Sequence, residues 1–204
     1  MKTRNETDMN EQRENGKIGG LAESLVIAFS MYSRIPMPMV AWTEKGMKYA
    51  LCFFPAVGIA VGAAVAAFWQ LSRLLGLGDL SRLCVETALP LLITGGIHMD
   101  GFLDTVDARS SHQSRERKLE ILKDPHAGAF AIAGCGVYLL FYAAAFSEMS
   151  PEAFPGIAGV FVMSRALSGY SVVTFPKAKK DGLVTAFAKG ASQAPAAVSG
   201  ILLC

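Results

Sequence analysis

The chain lacks a C-x-x-C pair, a secretory signal, an internal repeat and, over long stretches, any formal charge. Each absence excludes something. Cys52, Cys84, Cys135 and Cys204 stand singly in or beside apolar runs, so neither a zinc site nor a disulfide framework is indicated. They read as small buried hydrophobes. Met1 to Lys17 is polar and mixed in charge, without an apolar core or a small-residue cleavage site. It reads as a cytoplasmic tail rather than a leader. Charged residues make up only 18% of the chain against 52% hydrophobic, where globular domains carry about 25% charged. The net charge of +2 gives no argument for a nucleic-acid partner, and none is expected.

What is present is apolar sequence in blocks. Tyr49 to Leu71 has no ionisable group except its tyrosine and Cys52, and a bilayer crossing needs about 20 residues. Ala127 to Ser147 is a second such run, and Phe154 to Phe175 a third, interrupted only by Arg165. Leu83 to Met99 is shorter and carries Glu86 and Thr94; a further run begins near Ala194 and reaches Cys204. The pattern predicts an all-α, polytopic integral membrane bundle of about five crossings, with residues 18–204 as one membrane-embedded domain in contact with lipid. Gly20 to Val40 is apolar for two to three turns before Arg34, Pro36 and Pro38 break it. It is expected to be an interfacial or re-entrant helix. Gly58-x-x-x-Gly62 predicts close helix packing, within the chain before between chains.

Basic residues fall in alternate loops. The N-terminal tail, the loop after Asp107 (Arg109, Arg115, Arg117, Lys118, Lys123) and the loop after Phe175 (Lys177, Lys179, Lys180, Lys189) are rich in them. Ser72 to Arg82 has only its two terminal-region arginines, and Glu148 to Pro155 has none. Positive charge marks the cytoplasmic side, which places the three basic segments there.

Within this layout Asp100, Asp104 and Asp107 stand out. Spacings of four and three stack them on one helical face at the expected cytoplasmic end of the second crossing. Like charges at a hydrocarbon edge are costly, and a bound cation would explain them. Carboxylates suit Mg²⁺, Mn²⁺ or Ca²⁺ rather than zinc, and Mg²⁺ completes its shell with water and substrate phosphates. Asp124, before Pro125 and Gly128, is a candidate to complete the cluster. Gly101 leaves room for substrate beside the backbone. Arg115, Arg117 and Lys123 are suited to a diphosphate, although the positive-inside rule alone also accounts for this loop. His98 is open between metal ligand, proton carrier and polar packing residue. Arg165, inside an apolar run, points to function or to an internal acid such as Glu86. The chemistry suggested is phosphoryl-type transfer at a membrane face.

These residues resemble a known family. Gly95-Gly96-Ile97-His98-Met99-Asp100-Gly101-Phe102-Leu103-Asp104-Thr105-Val106-Asp107 is similar to the cobalamin synthase signature, as is the block Arg115-Glu116-Arg117-Lys118-Leu119-Glu120-Ile121-Leu122-Lys123-Asp124. Ser33-Arg34-Ile35-Pro36-Met37-Pro38, Phe54-Pro55 with Gly58 and Gly62, and Ser164-Arg165 have counterparts too. The family's glycine after the third aspartate is Ala108 here, and Asp124 is followed by Pro125-His126. The family continues past the position of Cys204, so the C-terminal part of its domain is expected to be missing.

The resemblance implies adenosylcobinamide-GDP ribazoletransferase activity: α-ribazole, or its 5′-phosphate, attacks the diphosphate of adenosylcobinamide-GDP, and GMP leaves. It implies Mg²⁺ as cofactor and a multi-pass protein of the bacterial inner membrane with a cytoplasmic active site, working beside other late cobalamin-pathway enzymes. Asp100, Asp104, Asp107 and Asp124 become the metal and diphosphate site, with the first three catalytic. Arg34, Arg115, Arg117, Lys123 and Arg165 become candidate substrate contacts. A CDP-alcohol phosphotransferase would instead show Asp-Gly-x-x-Ala-Arg, which Asp100-Gly101-Phe102-Leu103-Asp104 does not. A divalent-metal transporter would place acids deep in several helices.

Overall fold

A computed structural model describes residues 20–153, 156–177, 185, 187, 188 and 191. The expectations for the Met1–Lys17 tail, for Lys179, Lys180 and Lys189, and for the run from Ala194 fall outside these residues. Among the described residues the protein is all-helical, without a strand. In chain order the helices are α1 (Gly20–Tyr32), α2 (Glu44–Lys48), a 3₁₀ turn (Ala50–Phe53), α3 (Phe54–Leu74), α4 (Asp79–Thr94), α5 (Ile97–Ser110), α6 (Arg115–Ile121), α7 (Ala129–Ser147) and α8 (Ile157–Thr174).

Among the described residues two helices are long and apolar enough to cross a membrane, Ala50–Leu74 and Ala129–Ser147, with mean hydropathies of 2.2 and 1.9. The α4–α5 pair qualifies jointly and gives up to three spans. Large apolar side chains such as Ile132, Leu140 and Phe141 are exposed along α7, as lipid-facing positions require. The protein is thus a helical membrane protein. α1 is apolar but, at roughly 20 Å, shorter than a crossing. The expected run from Phe154 to Phe175 is helical as α8 over Ile157–Thr174, with Arg165 near its middle.

The second expected crossing differs from its sequence reading. Leu83 to Met99 is not one rod: α4 stops at Thr94, and α5 starts afresh at Ile97 after a 94° bend. Gly95 and Gly96, with φ of 67° and 76°, carry the turn in the left-handed region, where a side chain costs about 1–2 kcal/mol. Hydropathy alone runs through these two glycines, because it registers apolarity and not backbone handedness. The three aspartates therefore lie on a helix of their own.

The chain falls into two compact units, residues 1–62 with 158–204, and residues 63–157. In the first, Ile27, Ala50, Leu51, Phe187 and Ala191 form a buried cluster. The Ser24 hydroxyl donates to the Gly46 carbonyl at 2.6 Å, tying α1 to α2. Thr43 caps α2 by accepting from the Gly46 amide at 3.0 Å, and its hydroxyl donates to Glu23 at 2.6 Å. Gly58 of α3 packs closely on the α8 backbone at Phe161.

The second unit is built on α4, α5 and α7 with α6 at its surface. Its central feature is an antiparallel pairing of α5 with α7. Phe102 stacks at a tilt on Tyr138, with ring centroids 5.5 Å apart. Val106 packs on Gly134, where a Cβ would approach it to 3.0 Å. Asp107 reaches Ala131 one turn further on. As the number rises on α5 it falls on α7.

Candidate active site

The acidic helix α5 carries Asp100, Asp104 and Asp107 on one face, as their spacing requires. The three do not share one environment. Asp100 is exposed and Asp104 half-buried, and among the described residues no group donates a hydrogen bond to either. Asp107 is spoken for: its Oδ2 accepts from the Gly128 amide at 2.5 Å and its Oδ1 from the Ala131 amide at 2.8 Å. Beside the first aspartate, a Cβ on Gly101 would meet nothing within 4 Å, so the backbone there is open to approach.

Asp124 lies in the turn between α6 and α7. Its Oδ1 accepts from the His126 amide at 3.0 Å and faces the His126 ring nitrogen at 2.8 Å. The backbone N–H of His126, then its ring, hold the Asp124 carboxyl below the usual carboxylate range, with Arg117 adding to the effect. Both contacts fall on Oδ1. The sequence reading did not anticipate this pairing, although Asp-Pro-x signals a turn in which an aspartate bonds the backbone two residues on.

Among the described residues no group of three His, Cys, Asp or Glu side chains stands ready to hold a metal ion. The donor chemistry nonetheless fits Mg²⁺, which is bound by one or two carboxylates and takes its other ligands from water and phosphate. Asp100 and Asp104, one turn apart and free of fold-stabilising bonds, are such a pair.

The basic loop folds into α6, capped by Ser114, whose hydroxyl accepts from the Arg117 amide at 3.3 Å. Arg117 is paired with Glu120 at 2.6 Å. Arg115 and Lys123 are exposed and enter no ion pair among the described residues. The remaining two candidates, Arg34 and Arg165, belong to the other unit. Arg34 is exposed after α1; Arg165 is 9% exposed, with its guanidinium 5.6 Å from the Phe161 ring centroid. Glu86, weighed as a partner for Arg165, instead faces Arg82 of its own helix at 3.9 Å.

Fold and site together define a class: a helical membrane protein with one acidic helix set off by a double-glycine bend beside a basic surface helix. Residues 24–204 match the family described as cobalamin-5-phosphate synthase, and the chain belongs to that family. An adenosylcobinamide-GDP ribazoletransferase of Lachnoclostridium phytofermentans is 50% identical over 179 residues, 88% of this chain and 69% of that protein. Proteins of the same name from Clostridium botulinum (strain Eklund 17B / Type B) and Treponema denticola are 33% and 31% identical, covering 83% and 84% of this chain and 68% and 65% of their own lengths. No solved structure matches the chain.

Proposed function

We propose that this protein is an adenosylcobinamide-GDP ribazoletransferase acting at the cytoplasmic face of the bacterial inner membrane. A hydroxyl of α-ribazole, or of its 5′-phosphate, attacks the phosphorus joined to cobinamide. The bond from that phosphorus to the bridging oxygen breaks, GMP leaves with that oxygen, and the hydroxyl proton passes to solvent or a nearby carboxylate. The reading is supported by one observation above the others: Asp100 and Asp104 stand a turn apart on α5 with no hydrogen-bond donor from the described fold, in a chain 50% identical to a protein of that name.

Mg²⁺ held by Asp100 and Asp104 would neutralise diphosphate charge as the leaving group departs. Asp124, expected to complete the cluster, spends its Oδ1 on His126 and joins Asp100 and Asp104 in no three-residue metal group among the described residues. Arg115 and Lys123 would hold the diphosphate. Arg109 lies in the last turn of α5, and Arg115, Arg117, Lys118 and Lys123 come after it, and this supports a cytoplasmic site.

The test is transfer itself. Purified protein in lipid nanodiscs is expected to form cobalamin and GMP from adenosylcobinamide-GDP and α-ribazole with Mg²⁺, and to stop with EDTA. Asp100→Ala and Asp104→Ala are each expected to lower kcat by about 10²-fold or more. Normal turnover in both variants would sink the assignment of these residues.

A further inference from the structure

We infer that Asp107 is a positioning residue that locks the acidic helix onto α7, and is not itself a metal ligand; the inference rests on the transfer reading above. The first amides of any α-helix have no acceptor within the helix. At the start of α7 the residue that would ordinarily supply one is Gly128, which has no side chain and makes no cap bond of its own. Asp107 supplies the cap from another helix. Its two oxygens take one amide each, Gly128 at 2.5 Å and Ala131 at 2.8 Å. The carboxylate also meets the positive end of the α7 dipole.

The fit is mutual. A Cβ on Gly128 would lie 2.8 and 2.9 Å from the two Asp107 oxygens, closer than real contacts allow. Gly128 is therefore the counterpart of Asp107, and any side chain there would push the carboxylate off the helix end. Asp107 is also the last rung of the α5–α7 pairing that runs through Phe102–Tyr138 and Val106–Gly134. The apolar rungs leave α5 able to slide or roll on α7; two directional bonds to fixed amides do not. At its other end α5 is set by the Gly95–Gly96 bend. Asp100 and Asp104 lie between these two fixed points, which orients them without using their own oxygens. The third aspartate of the stripe thus has a different task from the first two.

Full-length protein in nanodiscs, without metal, is compared by amide hydrogen exchange over the start of α7. Asp107→Ala and Asp107→Asn are expected to speed exchange at Gly128 and Ala131 by roughly tenfold, the usual scale of a lost cap, and Asp100→Asn to leave it unchanged. Gly128→Ala should reproduce the Asp107 effect although it removes no carboxylate. Mn²⁺ titrated by electron paramagnetic resonance is expected to bind Asp107→Asn and Gly128→Ala within about threefold of the parent, while kcat falls in both. Unchanged exchange in Asp107→Asn, or tenfold weaker Mn²⁺ binding in Asp107→Asn with none in Gly128→Ala, overturns the inference. If Asp100→Asn binds Mn²⁺ normally, the metal reading fails separately, and the exchange result still decides Asp107.

Discussion

Gly58 and Phe161 meet backbone to backbone: a Cβ added to Gly58 would stand 2.6 Å from the Phe161 carbonyl oxygen and 2.9 Å from the Val162 Cα. These are main-chain atoms, so no rotamer change relieves the clash. Gly58→Ala is therefore expected to lower stability by about 1–3 kcal/mol, the usual cost of overpacking. Gly136 of α7, where a Cβ would meet nothing within 4 Å, is the control. Gly136→Ala is expected to stay within about 0.5 kcal/mol of the parent or to gain from better helix propensity. Thermal unfolding in detergent, followed by tryptophan fluorescence, separates the two. Equal effects would mean that α3 and α8 do not cross at Gly58.

Gly101 allows stability and activity to be pulled apart. It lies inside α5 with open space around its Cα, so Gly101→Ala is expected to raise helix stability by up to about 1 kcal/mol. If substrate approaches the backbone beside Asp100, the added methyl blocks it, and KM for adenosylcobinamide-GDP rises while Tm does not fall. A variant with unchanged KM would remove the backbone from the substrate path.

Glu86 is 3% exposed, and its Oε1 accepts no hydrogen bond among the described residues. Arg82 stands 3.9 Å away and gives its shorter contact, 2.9 Å, to the exposed Asp79. A buried carboxylate so weakly met costs stability. Glu86→Gln is expected to hold or raise the unfolding temperature. Arg82→Ala is expected to lower stability by about 1–3 kcal/mol, because it strands the carboxylate. Adding Glu86→Gln to Arg82→Ala should recover most of that loss in a double-mutant cycle. Additive effects would show that the two residues do not interact.

The helical class and the outlines of α3 and α7 were legible because an uncharged run of bilayer length finds a stable place almost only inside lipid; α8 was legible from a run broken by Arg165 alone. The aspartate stripe was legible by contrast with those runs, since its charges sit where apolarity should continue. The bend at Gly95–Gly96 was not, because a glycine pair inside an apolar run is equally compatible with close helix packing. Nor was the division of labour within the stripe. Spacing places Asp107 on the face of Asp100 and Asp104 but is silent about a helix end more than twenty residues on. The sign that existed was Gly128 immediately before an apolar run, a helix start with no cap of its own.

Arg115 and Arg117 carry the same charge two residues apart, yet the fold commits them differently. Arg117 faces Glu120 at 2.6 Å, whereas Arg115 is exposed with no ion pair among the described residues. A guanidinium already facing a carboxylate must give up that contact to take a phosphate, although a surface pair of this kind holds it by no more than about 1 kcal/mol. An unpaired one binds at full strength. Arg115→Ala is therefore expected to raise KM for adenosylcobinamide-GDP about tenfold, and Arg117→Ala about twofold to fivefold, each with a smaller change in kcat. Glu120→Gln frees Arg117 and should lower KM if Arg117 reaches the diphosphate. Steady-state kinetics on the three variants at fixed Mg²⁺ measures the order. A larger effect from Arg117→Ala than from Arg115→Ala would mean that the Glu120 pair positions Arg117 for substrate instead of competing with it.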